Sequence, residues 1–523
     1  MSDFPADNVL GDEGPKEACG VFGAYTWAHE RIDVARLAFF AQFAQQHRGQ
    51  ESAGIATSNG RNAKIHKGMG LVTQVFNNDN LAPLQGHLCI GHNRYSTTGG
   101  SHLANAQPYL IETMHGPLAV GHNGNLTNTT SLRTALLKRG VGLISSTDSE
   151  VITQMLAAPP AGGEPNGADW LKRIEGLMRA ADGAYSVVVL TRDAVWAFRD
   201  AAGLRPLCVG ELMGDAGRAL GYAVASESCA LATIGARYLR EVQPGEVVRL
   251  DARGLHSFPV MTEEKDPALC VFEYVYFARP DTSLEEQTVH DVRQRLGAKL
   301  WEESPCEADV VIGVPDSATP AAIGYAVASG IPYSEGLTKN RYIGRTFIEP
   351  SDRLRRSRVT LKYNPLRANL EGKRVVLVDD SIVRGNTIGP LVRLIRDGGG
   401  AAEVHVRVSS PPVAHPCFMG VDMATYEELI GHRMTVDEIR EFIGADSLGY
   451  LTVDGMMNAV RSGIEKPESC GHCNACFSGD YPLDVSEWLS VANRKNAFES
   501  GGSRRADSVR STGRIPRQGD PVN

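Results

Sequence analysis

The sequence predicts two folded units in series: an α+β unit with antiparallel sheet, then an α/β unit with parallel sheet. Three observations carry that prediction. The chain has 523 residues, more than one core holds at roughly 150 residues per domain. Ala184–Leu190 (AYSVVVL) and Ala194–Arg199 flank the short turn Thr191-Arg192-Asp193, the pattern of an antiparallel hairpin. From about Asp309, buried-type strands alternate with loops and helical stretches, which requires parallel strands joined by crossovers.

Composition limits the function classes. Hydrophobic residues make up 42% and charged residues 22%, as in globular proteins, so wholesale disorder and fibrous repeats are excluded. The net charge of -8, from 53 basic and 61 acidic residues, speaks against a dedicated nucleic-acid binder. No apolar run approaches the roughly 20 residues needed to span a bilayer. The leader Met1–Ala18 is acidic and lacks the basic-then-apolar order of a signal peptide. A cytoplasmic protein with no nucleic-acid or membrane partner is expected. Its ten cysteines are read as thiols, ligands or nucleophiles before disulfides.

The elements follow in order. Residues 1–18 show no apolar periodicity. Val34–Gln46 and Ser131–Arg139 look helical, and Pro159–Gly167 (PPAGGEPNG) is a loop. Val310–Val314 reads as a buried strand, turning through Pro315-Asp316-Ser317 into the small-residue helix Ala321–Ala328. Arg374–Val378 is a second such strand. It leads through Asp379-Asp380 into a helix with Ile388, Leu391, Val392 and Ile395 at i, i+3, i+4, i+7. Gly398-Gly399-Gly400 stops that helix, and Val404, Val406 and Val408 alternate as the next strand. The division is 1–18 leader, 19–255 first domain, 256–489 second domain with its cysteine-bearing segment, and 490–523 disordered tail.

Cys19 opens the first unit. Were the leader removed, Cys19 would carry a thiol and its own α-amino group, whose pKa of about 7.7–8.0 suits a base at neutral pH. One residue would then be both nucleophile and base. A lone cysteine is more often a small buried hydrophobe; its company changes the odds. Thiolate attack on an amide creates an oxyanion, for which an asparagine amide and a glycine N–H are suitable donors. Gly121-His122-Asn123-Gly124-Asn125 offers both, and it and His92-Asn93-Arg94 are expected at strand ends. An amino-acid substrate also needs a guanidinium and a carboxylate. Arg94 and Asp148 are candidates, against the plainer readings of an ion pair and a helix N-cap.

Cys19-Gly20-Val21-Phe22-Gly23, Gln46 to Ile55 (QHRGQESAGI), Gly91 to Thr97 (GHNRYST) and Gly121 to Asn125 (GHNGN) occur in order. Together they resemble the glutaminase half of the N-terminal-nucleophile glutamine amidotransferases. That resemblance implies a four-layer αββα domain, a propeptide ahead of Cys19, Cys19 as nucleophile, and Asn123 and Gly124 as oxyanion hole. Arg94 and Asp148 would hold the amino-acid end of glutamine.

The second unit carries Asp379-Asp380-Ser381-Ile382-Val383-Arg384-Gly385-Asn386-Thr387 between a strand and a helix. Backbone N–H groups there, with the Ser381 and Thr387 hydroxyls, can cradle a phosphate monoester. Two adjacent acids repel phosphate, so they are better used on sugar hydroxyls or Mg²⁺. The loop is neither of the common nucleotide-binding glycine motifs. It resembles the phosphoribosyl pyrophosphate (PRPP) motif of type I phosphoribosyltransferases. Asp379, Asp380, Ser381, Arg384, Gly385 and Thr387 would then bind PRPP, with Asp379, Asp380 and Ser317 near Mg²⁺. Asn386 departs from the small hydroxyl residue common there. Asn340–Arg358 holds six arginines, either a solvated basic loop or a flap closing over a polyanion.

Cys470, Cys473 and Cys476 have metal-ligand spacing. Chemistry alone leaves zinc and iron–sulfur both open, with further ligands from afar. The two halves together resemble the glutamine phosphoribosylpyrophosphate amidotransferase family from Cys19 to about Tyr481. By that resemblance Cys270, Cys417, Cys473 and Cys476 would hold a structural [4Fe–4S] cluster, with Cys470 a bystander. Glutamine and PRPP would be substrates, purine nucleotides feedback inhibitors, and the assembly a homo-oligomer, often a tetramer. A hexosamine-phosphate synthase would share the first half but need a sugar-isomerase domain. A non-catalytic PRPP sensor would leave Cys19, Asn123 and Asp148 unexplained.

Overall fold

The computed structural model describes residues 19–489 except 96–98, 161–162, 165–166, 263, 341–361, 422, 424 and 468–469. The expected leader, the expected disordered tail and the six arginines of Asn340–Arg358 lie outside the described residues, as do Ser96 and Thr97.

The strands of the first half are β1 (Gly20–Thr26), β2 (Ser52–Ser58), β3 (Ala63–Met69), β4 (Leu88–Arg94), β5 (Tyr109–Thr113) and β6 (Gly116–Leu126). Then come β7 (Gly183–Leu190), β8 (Val195–Arg199), β9 (Cys208–Met213), β10 (Ala219–Ala225), β11 (Ala236–Glu241), β12 (Glu246–Asp251) and β13 (Gly254–Pro259). In β1, Val21 and Tyr25 join one apolar cluster while Phe22 and Ala24 join another. A strand apolar on both faces needs cover on both.

That cover makes four layers. One antiparallel sheet runs β11-β9-β10-β1-β4-β2-β3, the other β13-β12-β8-β7-β6-β5. Val21, Ile90, Ala119, Val188 and Val248 fill the space between them. The helix Val34–Ala44 covers the outer face of the first sheet through Val34, Ala38 and Ala41. The helices Asp148–Ala157 and Trp170–Ala180 cover the second through Ile152, Leu156, Ile174 and Leu177. The expected hairpin is β7–β8, with Leu190 opposite Val195. The second expected helix is Thr129–Lys138.

One expectation shifts. His92, Asn93 and Arg94 do close β4, but Asn123 lies inside β6, opposite Ser186 of β7. The ladder runs on to Leu126 because β7 supplies partners the whole way, so this polar run belongs to the sheet.

The second half begins with β14 (Leu269–Cys270) and the hairpin β15 (Ser283–Leu284) and β16 (Gln287–Thr288). Its parallel sheet joins β17 (Val310–Gly313) to a later strand, after the short antiparallel pair β18 (Leu337–Lys339) and β19 (Tyr363–Pro365). That strand is β20 (Arg374–Asp379), followed by β21 (Glu403–Val408) and β22 (Ser447–Tyr450), in the order β17-β20-β21-β22. Lastly β23 (His472–Cys473) returns to pair with β14.

Side chains of the parallel sheet are apolar on both faces. Val311, Val376 and Val378 meet Leu296 and Leu300 of the helix Val289–Glu303 and Ala322 of the helix Thr319–Ser329. Val375, Leu377, Val404 and Val406 meet Ile388, Leu391, Val392 and Ile395 on the other side. Each such side chain contributes about 1.5–3 kcal/mol when fully buried. The helix begun at Ile388 ends in a wider π turn over Leu394–Gly398, and Gly400 leaves it with φ +74°. Among the described residues no helix is long and apolar enough to cross a membrane.

Candidate functional site

Cys19 immediately precedes β1, where Gly20 lies opposite Asn93 of β4. The thiol is buried, donates to Tyr95 O at 3.3 Å and receives the Tyr95 N–H at 3.5 Å. Burial pushes its pKa up, while the Tyr95 bond and the charge of Arg94 pull the other way. β4 is tied to β6 by His92 Nε2 and His122 O at 2.9 Å. The edge bearing Cys19 and Arg94 therefore faces the strand bearing Asn123.

Asn123 is fully buried, and among the described residues neither its amide nitrogen nor its amide oxygen has a hydrogen-bond partner. A buried amide left unmatched costs about 1–3 kcal/mol. Gly124 follows with φ +145°, and an added Cβ would sit 1.9 Å from Ala184 O. Only glycine lets β6 and β7 approach this closely.

Three residues beyond Asn123, Leu126 N–H donates to Asp148 Oδ2 at 3.0 Å. Asp148 opens the helix Asp148–Ala157; its capping partner is Thr147, so the N-cap reading moves by one residue. Burial raises the Asp148 pKa, but His122 and the backbone bonds more than reverse it and hold the carboxylate ionised. Arg94 is 2% exposed, with Glu51 Oε2 at 3.2 Å and the carbonyls of Gly99 and Gly100 at 3.3 Å. Arg94, Glu51 and Asp148 all act electrostatically on the Cys19 thiol. Arg94 and Asp148 are thus within electrostatic range of Cys19, and Asn123 and Gly124 lie on the strand whose Leu126 N–H binds Asp148.

A buried charge network was not legible in the sequence. Arg48 has no exposure; its Nε donates to Cys19 O at 3.1 Å, Nη1 to Glu227 at 2.6 Å and Nη2 to Glu273 at 2.8 Å. Glu273 also pairs with Arg205 at 2.8 Å, and both are fully buried. Arg48 stands inside the QHRGQ motif, so a signal existed for it. Arg205 and Glu273 carried none.

At the second site, β20 delivers Asp379 and Asp380 to the end of the parallel sheet. Asp380 N–H donates to Asp379 Oδ1 at 3.0 Å and the Ser381 hydroxyl to Asp380 Oδ1 at 2.7 Å. Burial and then the neighbouring Asp380 push the Asp379 pKa well up. Burial raises that of Asp380 as well, opposed by Ser317, Ser381 and the buried Arg293. Ser317 is thus at this site, as expected, and Arg293 is an addition. Gly385 has φ +80°, a left-handed turn that suits glycine. Arg384 faces Glu428 at 3.5 Å, and Thr387 directly precedes the helix Ile388–Arg393. Hard oxygen donors of this kind suit Mg²⁺.

The four expected cysteines also converge. Cys270 and Cys473 are register partners in β14–β23, Cys476 O accepts the N–H groups of Ala414 and His415, and Cys417 follows shortly after. The Cys476 thiol is pushed up by burial and then by Cys270, Cys473 and Cys417. Burial takes Cys270 to about 12, and Arg205 opposes this at Cys270, Cys417 and Cys473. Among the described residues the Arg205 guanidinium makes no aligned hydrogen bond, even to Glu273. The four thiols thus lie within electrostatic range of one another, and three of them within range of the buried Arg205 cation. Among the described residues no three His, Cys, Asp or Glu side chains are set to grip a single metal ion. Cys470 instead bonds Glu285. Cys89, Cys208 and Cys229 are buried thiols with raised pKa values, whereas Cys306, which also carries no second signal in the sequence, is only partly buried.

Known proteins match this arrangement. Residues 92–233 match a family described as "Glutamine amidotransferase domain". The amidophosphoribosyltransferase of Rattus norvegicus is 47% identical over 518 residues, covering 92% of this chain and 100% of the relative. That of Bacillus subtilis is 45% identical, covering 93% and 98%. A solved structure described as "glutamine phosphoribosylpyrophosphate (PRPP) amidotransferase from B. subtilis complexed with ADP and GMP" has a TM-score of 0.82 at 42% identity, covering 91% and 100%. Another, "structure of the allosteric regulatory enzyme of purine biosynthesis", has a TM-score of 0.83 at 43% identity, covering 92% and 99%.

Proposed function

The chain belongs to the amidophosphoribosyltransferases, and from that premise we propose how its two halves divide one reaction. The enzyme hydrolyses glutamine and passes the ammonia to PRPP, giving 5-phosphoribosylamine, pyrophosphate and glutamate, the first step of purine synthesis.

In the first half, with the leader removed, the α-amine of Cys19 takes the thiol proton and the sulfur attacks the glutamine side-chain carbonyl. Asn123 Nδ2 and Gly124 N–H hold the oxyanion. The carbon–nitrogen bond breaks, the amine returns its proton to the departing ammonia, and water cleaves the thioester to glutamate. Arg94 holds the substrate carboxylate and Asp148 its ammonium. The buried Asn123 amide, with no partner among the described residues, is the observation that carries this reading.

In the second half Asp379 and Asp380 accept hydrogen bonds from the ribose hydroxyls. The 381–387 loop, with Ser381, Arg384, Gly385 and Thr387, takes the 5-phosphate. Ammonia displaces pyrophosphate at the anomeric carbon. Mg²⁺, held near Asp379, Asp380 and Ser317, would neutralise charge on the departing pyrophosphate.

Cys270, Cys417, Cys473 and Cys476 would hold a [4Fe–4S] cluster that staples the C-terminal segment to the start of the second half, with Cys470 outside it. Purine nucleotides are proposed as inhibitors, supported by the ADP- and GMP-bound structure of the Bacillus relative. Cytoplasmic residence, a homotetramer, and the division at residues 18, 255 and 489 complete the reading.

The test is glutamate release from glutamine with and without PRPP, alongside pyrophosphate release. Strong stimulation by PRPP with equal yields of both products is expected. Glutamate release indifferent to PRPP, or no pyrophosphate, refutes the reading.

A further inference from the structure

Gly124 is pressed from two sides. β7 limits it through Ala184 O, and on the other side a Cβ placed on Gly420 would come within 2.8 Å of Gly124 Cα. Two glycines back to back bring the first half's oxyanion strand and the second half's backbone into direct contact. The next residue, Asn125, is buried, and its Nδ2 donates to Phe418 O at 2.9 Å. Phe418 and Met419 are anchored in an apolar cluster with Ala184, Leu204 and Trp488.

The same stretch of chain continues to the other site. Glu428 faces Arg384 at 3.5 Å, and Ile430 N–H donates to Val383 O at 2.9 Å. Ile430 also packs so closely on Gly385 that a Cβ there would lie 2.6 Å from its Cδ1. Phe418 and Gly420 therefore touch the strand that supplies the Gly124 N–H, and Glu428 and Ile430, a few residues on in the sequence, touch the loop proposed to bind PRPP.

We infer that Asn125 and Gly420 are positioning residues for glutamine hydrolysis. They clamp the peptide carrying Gly124 N–H and carry the state of the PRPP loop to the oxyanion hole. The inference rests on the proposed division of the reaction and names the contact through which its halves are coupled.

The test uses Asn125→Ala, Asn125→Asp and Gly420→Ala in the full chain. Three activities are measured: glutamine hydrolysis with and without PRPP, ammonia-dependent phosphoribosylamine formation, and alkylation of Cys19 by iodoacetamide followed by peptide mass. Alkylation expels iodide and forms no oxyanion, so it reports the nucleophile alone. Removing an oxyanion donor costs about 10²–10³ in kcat, so a misplaced donor is expected to cost about 10-fold. The drop should fall on kcat with KM little changed, and PRPP stimulation should shrink with it. Alkylation and ammonia-dependent synthesis should stay near the unaltered protein. Hydrolysis with normal kcat and normal PRPP stimulation overturns the inference, and so does a parallel fall of all three activities. Absence of PRPP stimulation in the unaltered protein instead overturns the reading of function, and the inference with it.

Discussion

Arg48→Met should loosen the whole molecule, because Arg48 joins the two halves through buried charge. Burial works against its charge, but Glu273 and Glu227 outweigh that and keep the guanidinium protonated. Methionine keeps much of the volume and removes the charge. Breaking a buried pair by deleting one partner costs about 3–5 kcal/mol. The lower end applies: Glu273 keeps Arg205 at 2.8 Å, and Glu227 keeps His47 and the Thr282 hydroxyl, each at 2.7 Å. At about 2–4 °C per kcal/mol for units of 150–250 residues, a loss near 3 kcal/mol lowers the thermal midpoint by about 6–12 °C.

The assay is circular dichroism melting of the intact chain, with Glu273→Gln and the double variant completing a cycle. The double variant should fall short of the summed losses, since Glu273→Gln removes the carboxylate that Arg48→Met leaves less well paired. Glutamine hydrolysis should also drop, because Cys19 O loses the Arg48 Nε donor. A midpoint within about 2 °C of the unaltered protein, or strict additivity in the cycle, would refute the argument.

Cys19→Ala should abolish glutamine-dependent product and leave ammonia-dependent product, measured by coupled phosphoribosylamine trapping. Loss of both in a folded protein argues against two separable sites. Asp379→Asn should remove PRPP-dependent activity yet raise stability at neutral pH. A raised carboxyl keeps its proton when folded over a range where the unfolded chain has released it. Stability therefore falls as pH rises through that range, and the amide is spared the loss. Melting the two proteins from pH 4 to 8 should show the gap widening upward; a constant gap counts against it. Cys473→Ser, purified anaerobically, should lose iron and the visible absorption of the unaltered protein, whereas Cys470→Ser should keep both. Equal iron in all three proteins removes the proposed ligand set.

Much of the architecture was written locally. The β7–β8 hairpin, the Val310 and Arg374 strands and the helix begun at Ile388 follow from apolar spacing and turn residues within a few positions of one another. The glutaminase motifs and the paired acids were legible for the same reason: each is a short run whose chemistry needs neighbouring residues. The placement of Asn123 inside β6 was less so, since the extent of a ladder depends on its partner, and β7 lies about 60 residues away.

What the sequence alone determined, then, is the set of chemical groups and the order of the two folds, because a nucleophile, a phosphate loop and a hydrophobic period are properties of short segments. Only the tertiary structure decided which distant groups meet. Arg48 meets Glu273 across 225 residues and Asn125 meets Phe418 across 293, and no spacing rule reaches so far. Such meetings are selected by packing, since a buried charge or amide must find its match wherever the folded backbone brings one.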